Sequence, residues 1–206
     1  MSEGRTLDLY LDQMASSAPA PGGGSAAALL VAVAAALGSK VCALTRSTAD
    51  DNAERELAAA ARSLIELREK ARTLADRDEA GYTAYIAATR LPKTTSQERT
   101  ARRVAVQAAL VDAATVPLEL ARICVDLLLL LQPVTLHGNR HLLSDARIAG
   151  ILAETAHRAA LVTARVNVAL LKDDTVAAPL EAQAKASERQ VAERWSELQG
   201  IVKSQS

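Results

Sequence analysis

Apolar residues recur at helical spacing along almost the whole chain. Two series run through residues 52–90 at a spacing of seven, offset from each other by three: Leu57, Leu64 and Ala71, and Ala60, Leu67 and Leu74. This spacing puts both series on one face of a single long helix. The sustained alternation of β-branched residues that is typical of strands does not occur in the sequence. We therefore predict an all-α fold.

Prolines and capping residues divide the flanking sequence into further helices. A short amphipathic helix is expected within residues 5–18, where the apolar positions are Leu7, Leu11 and Met14. Leu91-Pro92 ends the long helix, because the residue before a proline is disfavoured in helix. The TTSQE segment at residues 94–98 then supplies a Thr or Ser cap with a glutamate behind it, which predicts a new helix start.

Three further helices complete the predicted bundle. A helix over residues 100–131 should kink at Pro117 and end at Pro133, and a second should span 146–171 with Ser144 as its cap. The last is amphipathic, with Leu180, Val191, Trp195, Leu198 and Val202 as its apolar positions. Together these elements predict one domain over residues 1–206, a bundle of about six helices.

The most apolar helix is expected between Ser25 and Thr45, after a loop rich in proline and glycine. Three consecutive glycines, Gly22, Gly23 and Gly24, allow a tight turn, and Ser25 is the expected N-cap. A glycine loop that leads into a helix exposes amides that suit a phosphate, a carboxylate or a polar ring carbonyl. It is equally consistent with close helix packing, and neither glycine fingerprint of nucleotide-binding proteins is present.

Composition narrows the functional classes. Half of the 206 residues are hydrophobic, which is enough for a sizeable core. The chain has 24 basic residues (Lys and Arg) and 24 acidic residues (Asp and Glu), and aromatic residues make up 2% of it. Without a basic surplus or aromatic stacking surface, nucleic-acid binding is disfavoured. Two isolated cysteines and no recognisable leader predict a reduced, cytoplasmic protein. Residues 26–44 are apolar enough for a membrane span, but their alanine content and Lys40 favour a buried helix. The Ala-rich surface of this helix is compatible with a symmetric homodimer.

Ionisable residues on predicted apolar stripes are candidates for chemistry, because an unpaired buried charge is unfavourable. Asp78 continues the series of Leu57, Leu64 and Ala71 and should face inward. A core-facing carboxylate with a shifted pKa suits an acid or base. The alternative is a structural salt bridge at a helix end.

Asp145 and Lys40 are the other two candidates. Asp145 lies three residues before Ile148 on a predicted core stripe, and it either acts in the site or caps the first turn of its helix. Lys40 follows Val33 and Leu37 on one stripe. It either pairs with Asp78, Asp145 or an acidic ligand, or extends to solvent at the helix end.

Two polar features give weaker signals. His137 and His141 have a spacing that suits a metal on a helix, but Gly138 and Asn139 between them predict a loop, so we do not expect a metal site. Asn167 falls on a late helix near apolar residues, where a buried amide is more often structural.

Several segments stand in a characteristic order: SSAPAPGGGSAAAL at 16–29, DRDEAGYTAYIAATRLPK at 76–93, Arg102 with Gln107 and Val116-Pro117, HGN with SDA within 137–146, and VNVALLKD at 166–173. Together they resemble the cyclodeaminase/cyclohydrolase family of folate one-carbon metabolism. This family includes formimidoyltetrahydrofolate cyclodeaminase and bacterial methenyltetrahydrofolate cyclohydrolase.

The resemblance implies an all-helical homodimer that binds a reduced folate as substrate, without a tightly bound cofactor or metal. It implies chemistry on a one-carbon unit carried by the folate nitrogens, either loss of ammonia or hydrolysis. On this basis we expect Asp78 or Asp145 to carry protons. The expected substrate-binding residues are Gly22, Gly23, Gly24, Ser25, Lys40, Lys93, Arg102, Asn139 and Asn167.

Three positions depart from the family pattern. Lys40 replaces an apolar residue, Thr163 replaces an asparagine one turn before Asn167, and residues 46–50 replace a glycine- and lysine-rich turn. These changes support a second hypothesis, in which the chain is a non-catalytic helical dimer that binds another ligand or partner.

Overall fold

A computed structural model describes residues 5–45 and 50–205, and this part of the chain contains helices and no strand. The helices are α1 (Leu7–Met14), α2 (Gly23–Ala43), α3 (Asp51–Thr89), α4 (Ser96–His137), α5 (Leu143–Val168) and α6 (Asp174–Gln205). A 3₁₀ turn at Arg140–Leu142 joins α4 to α5. The all-α prediction is confirmed, including the single long helix before Leu91-Pro92.

Four helices form the centre of the bundle. Helices α2, α3, α4 and α5 pack in sequence, α2 closes the ring against α5, and α6 covers α4 and α5. Helix α2 runs antiparallel to α3, because Gly38 lies against Leu64 and Gly24 against Asp78. A Cβ at Gly38 would lie 2.9 Å from Leu131 Cδ2, so glycine at this position lets the helices approach without a shift of that side chain. Large buried side chains such as Leu127 fill the centre.

Local signals placed one helix start correctly and missed two. Thr95 caps α4 with a capping box, in which its hydroxyl accepts from the amide of Glu98 at 3.1 Å and the Glu98 carboxylate accepts from the amide of Thr95. Ser25 and Ser144 were wrongly predicted as caps. Helix α2 begins at Gly23 with Gly22 in the cap position, and no side chain caps α5, whose N-cap residue is Leu142.

The predicted end of α4 at Pro133 is also wrong, because the helix continues to His137. A proline removes only one backbone donor from a helix, and burial of the next turn offsets that loss. Val134 and Thr135 are both buried in the core, so the helix continues past Pro133. Pro117 likewise lies within α4.

Two helices bury different faces from those predicted. In α1, Tyr10 is fully buried while Leu7 and Leu11 are half-exposed. In α2, most of the residues buried in the bundle are alanine or glycine, such as Ala34 and Gly38, whereas Val33 and Leu44, on the stripe of Lys40, are exposed. Because α2 is apolar all round, periodicity carries no information about its orientation, and small residues face inward where helices approach closely.

Small residues also face inward in α5, where Ile148 is exposed and Ala146, Ala149 and Gly150 are buried.

Among the described residues, α2 is the one helix that is long and apolar enough to cross a membrane. It packs in this bundle against α3 and α5, and its opposite side stays accessible.

Candidate functional site

Five polar side chains converge where α2 begins, next to α1 and the middle of α3. We call Arg5, Tyr10, Ser25, Asp78 and Glu79 the amino-end cluster. Neighbouring positions on α3 supply the two carboxylates, while Ser25 lies in the first turn of α2 and is fully buried. The cluster therefore places two carboxylates beside the free amides of a helix N-terminus.

Asp78 lies directly against the glycine loop. The amide of Ser25 donates a hydrogen bond to its carboxylate. A Cβ added to Gly24 would lie 2.5 Å from Asp78 Cγ and 2.6 Å from Oδ2, so glycine is required for this contact. Burial raises the pKa of Asp78, the neighbouring Glu79 raises it further, and the Ser25 amide partly opposes the rise. Asp78 thus titrates closer to neutral pH than an exposed aspartate.

A hydrogen-bonded chain crosses the cluster beside Asp78. Ser25 Oγ donates to Glu79 Oε1 at 2.9 Å, so the contact of 2.8 Å between Tyr10 and Ser25 has the Tyr10 hydroxyl as donor. Arg5 Nη2 donates to the same Glu79 oxygen at 2.7 Å. Glu79 is therefore held in place by two donors, whereas Asp78 accepts from the loop amide.

Arg5 closes the cluster on the side of α1. Its guanidinium lies 4.9 Å from the centre of the Tyr10 ring, and Nη1 donates to Gln13 at 2.9 Å. Within the described part of the chain, Arg5 Nε is buried and has no hydrogen-bond partner. An open cleft of about 630 Å³ adjoins Arg5 and Glu79, between the Pro19 loop and α3.

Helix α5 passes the other side of the glycine loop. The closest side-chain atom to a Cβ added at Gly23 would be Thr163 Oγ1, at 4.0 Å. Asn167 Nδ2 donates to the carbonyls of Ala113 and Thr163, at 2.8 and 3.1 Å, and so ties α5 to α4. Asn167 thus lies one turn from the loop, with its amide engaged by backbone.

Three further predicted residues lie at the opposite end of α2, in a group that we call the carboxyl-end cluster: Lys40, Asn139 and Asp145. Lys40 Nζ pairs with Asp145 Oδ2 at 2.7 Å. Asn139 donates to the carbonyl of Leu44 and accepts from the amide of His141. Because Gly24 and Lys40 are sixteen residues apart on one helix, about 24 Å separates the two clusters.

This geometry identifies the partner of Lys40, which the sequence left open. Lys40 pairs with Asp145 and not with Asp78 in the same chain, and its side chain is 52% exposed rather than buried. The Asp145 side chain is 20% exposed, and one turn further along α5 Ala149 is fully buried, although Ile148 is exposed. The departure at residues 46–49 lies outside the described residues.

Lys93 and Arg102 form a third location, at the turn between α3 and α4. Arg102 Nε donates to the carbonyl of Thr89 at 3.0 Å, and Lys93 is exposed. Thr89 lies eleven residues beyond Asp78 on α3, or about 17 Å along the helix. Within one chain, neither residue reaches the amino-end cluster.

Sequence reasoning missed Arg5, Tyr10 and Glu79. Glu79 sits beside the predicted Asp78, but its position off the apolar stripe gave no reason to choose it. Tyr10 was hidden because the leucines of α1 were taken as the buried face. Two signals were available in the sequence: the adjacent acids Asp78 and Glu79 shortly before a glycine in α3, and Tyr10, one of few aromatic residues, in α1.

The sequence is similar to that of known folate enzymes. The formiminotransferase-cyclodeaminase family model matches residues 6–186. A methenyltetrahydrofolate cyclohydrolase of Methylorubrum extorquens is 37% identical over 98% of this chain and 91% of its own length. A formimidoyltransferase-cyclodeaminase of Sus scrofa is 32% identical over 82% of this chain, which corresponds to 32% of that longer protein.

The fold matches a solved structure as well. The crystal structure of formiminotetrahydrofolate cyclodeaminase from Thermotoga maritima superposes with a TM-score of 0.87 at 25% identity, and the match covers 98% of both chains. Sequence and fold therefore point to the same group of proteins.

Proposed function

The chain belongs to the formiminotransferase-cyclodeaminase family, and on that premise we propose that it is an enzyme that hydrolyses the methenyl bridge of a tetrahydrofolate derivative. The relative named as a methenyltetrahydrofolate cyclohydrolase supports hydrolysis, because it matches the chain over nearly its whole length. The single structural observation that carries the proposal is Asp78, a carboxylate with a raised pKa against the amides at the start of α2.

The proposed reaction requires one proton acceptor and one proton donor. Water adds to the methenyl carbon and loses a proton to the Asp78 carboxylate. The bond between that carbon and one ring nitrogen then breaks, and the nitrogen takes up the proton that Asp78 holds. The hydroxyl on the carbon loses its own proton to solvent as its C–O bond becomes a carbonyl, which leaves a formyl group on the other nitrogen. A carboxyl group with a raised pKa can serve in both steps, and such catalysis contributes roughly 10²–10⁴ in rate.

Electrostatics favour a cationic substrate at this place. The methenyl bridge carries a positive charge that is spread over the carbon and both nitrogens. Asp78 and Glu79 supply two carboxylates beside it, and Glu79 is already oriented by Arg5 and Ser25. The amides of the glycine loop and the nearby Asn167 are proposed to orient the pterin.

Release of ammonia from a formimidoyl substrate is the second candidate. It is favoured by the structural match to the Thermotoga maritima cyclodeaminase. Ring closure of the formimidoyl carbon onto the second nitrogen, with departure of ammonia, also requires a group that passes a proton between nitrogens. Asp78 is proposed for that role as well.

We further propose that the protein is a homodimer located in the cytoplasm. Apart from Lys40, the accessible side of α2 is apolar, and a second copy covering it would complete the burial of this helix. Cys42 and Cys124 are both free thiols, which is compatible with a reducing compartment.

Turnover assays test the activity directly. Purified protein is incubated with methenyltetrahydrofolate and the loss of its absorbance is followed, and a parallel reaction with the formimidoyl substrate is assayed for ammonia. We expect the first substrate to be consumed faster than in buffer. If neither substrate is turned over and no folate binds, the enzyme proposal is wrong and the non-catalytic alternative holds.

A further inference from the structure

A groove between α5 and α6 lies on the side of α5 that faces away from α2. Thr163 lies beside the glycine loop and so marks the face of α5 that is turned toward α2. Leu161 and Arg165, which line the groove, are two residues to either side of Thr163 and point about 160° away from it around the helix. Helix α5 therefore separates the groove from the proposed reaction site.

The groove has the size and the walls of a small-molecule site. It encloses about 580 Å³, and ligand pockets typically enclose roughly 300–1,000 Å³. Glycine at position 150 lets the Trp195 ring pack closely on α5, since a Cβ there would lie 2.9 Å from that ring. The apolar part of the lining is Leu161, Val162, Val191, Ala192 and Trp195.

His157 brings an unused hydrogen-bond acceptor to this groove. It is 2% exposed, and its Nε2 lies 3.1 Å from Ser187 Oγ. Because the Ser187 hydroxyl donates its proton to the carbonyl of Ala184, Nε2 is the donor to Ser187. Burial lowers the pKa of His157 to about 4, so the ring is neutral at pH 7 and Nδ1 keeps its lone pair. Among the described residues no group donates to Nδ1, so a ligand with an N–H group can supply that donor.

The α6 wall of the groove carries further polar groups that are free to bind. The side chains of Trp195, Ser196 and Gln199 line the groove, and within the described part of the chain they form no hydrogen bond. A hydroxyl and an amide both donate and accept, whereas the indole N–H only donates. The groove therefore suits a ligand with donors and acceptors along its edge.

The charges around the groove balance and are paired. Arg165 binds Glu188 through two N–H groups, each at 2.8 Å, and Arg158 lies 3.9 Å from Glu154. With two cations and two carboxylates in its lining, the groove has no net charge that would attract a phosphate or a carboxylate. Trp195 offers a flat ring for stacking. The expected occupant is thus neutral and flat.

We propose that this groove binds a neutral fused-ring nitrogen heterocycle of about the size of a purine base. The heterocycle stacks on Trp195, donates an N–H to His157 Nδ1 and exchanges hydrogen bonds with Ser196 and Gln199. Purines and pterins share this chemistry, because both carry N–H donors beside ring nitrogens that accept. The inference stands independently of the proposed function, since no residue of the groove belongs to the amino-end cluster.

Calorimetric titration of the purified chain with adenine, hypoxanthine and pterin at pH 7 tests the binding. We expect at least one of them to bind with half-saturation below about 1 mM, which good ligands of this size reach. Binding of the two purines alone identifies a purine site, and binding of pterin identifies a pterin site once the groove is shown to be its location. Binding of none of the three overturns the proposal.

The location of the bound heterocycle is tested separately. Trp195 is the only tryptophan of the chain, so adenine that stacks on it should quench the fluorescence with the half-saturation found by calorimetry. Ala192→Phe fills the groove from an exposed position and should abolish binding. Ala182→Phe, at an exposed position of α6 outside the groove, is the matched control and should bind like the wild type. Equal affinity of the two variants would overturn the site.

His157→Gln tests the hydrogen bond at Nδ1. Glutamine keeps an N–H that can donate to Ser187, but it has no acceptor at the position of Nδ1. We expect roughly tenfold weaker binding or more, with a circular dichroism spectrum like that of the wild type. An unchanged dissociation constant for this folded variant would contradict the proposed binding mode.

Discussion

The contact between Gly24 and Asp78 makes the sharpest prediction about the site. Replacing Gly24 with alanine puts a methyl group 2.5 Å from Asp78 Cγ, so the carboxylate must move away from the amide of Ser25. Overpacking of this kind costs about 1–3 kcal/mol, and the lost hydrogen bond to a charged group adds to it. The higher helix propensity of alanine offsets about 1 kcal/mol of this loss of stability. With about 1.5–3 kcal/mol for that hydrogen bond, we expect a net loss of about 1.5–5 kcal/mol.

Urea unfolding followed by circular dichroism measures this loss, with Gly23→Ala as the matched control. A Cβ at Gly23 would have no neighbour nearer than Thr163 Oγ1 at 4.0 Å, so that variant should be as stable as the wild type or slightly more stable. In an Asp78→Ala background the clash is absent, and Gly24→Ala should no longer destabilise. Equal stability of the Gly24→Ala and Gly23→Ala variants would refute this account of the contact.

Three further predictions concern other parts of the molecule. Ser25→Ala should lower turnover at least tenfold by removing the hydroxyl that donates to Glu79, and steady-state kinetics with unchanged turnover would contradict this. His157 is buried against Ser187, and burial lowers its pKa to about 4. The unfolded chain therefore takes up the proton first as the pH falls below 6.5, and the free energy of unfolding should drop by about 2 kcal/mol between pH 7 and pH 5. A His157→Gln variant should lose this pH dependence in urea titrations. Thr95→Ala should cost about 1 kcal/mol through loss of the capping box, measured by the same unfolding assay, whereas an exposed Ser204→Ala should be neutral.

The sequence was sufficient for the helices whose two faces differ in polarity. In α3 and α6 the apolar series were separated by charged residues, and Leu64 and Leu198 are buried as expected. The capping box at Thr95 was legible because the cap and its glutamate are local. Asp78 was found because it continued a correct apolar series.

The sequence was insufficient where information is not local. Helix α2 is apolar on every side, so only packing against α3 and α5 decides that Val33 and Lys40 face outward. Arg5 and Tyr10 join the cluster through contacts with Glu79 and Ser25, which lie far from them in sequence. Tertiary contacts also let α4 continue beyond Pro133, although proline disfavours the interior of a helix.

The central claim is that Asp78 transfers protons at the start of α2, and one kinetic comparison tests it most directly. The rate of methenyltetrahydrofolate hydrolysis is measured for the wild type and for Asp78→Asn, with urea unfolding to show that both are folded. The account predicts that the asparagine variant remains at least as stable at pH 7, because burial penalises the charged carboxylate that it lacks, and that kcat falls roughly 10²–10⁴-fold. A folded Asp78→Asn variant that hydrolyses this substrate at the wild-type rate would contradict it.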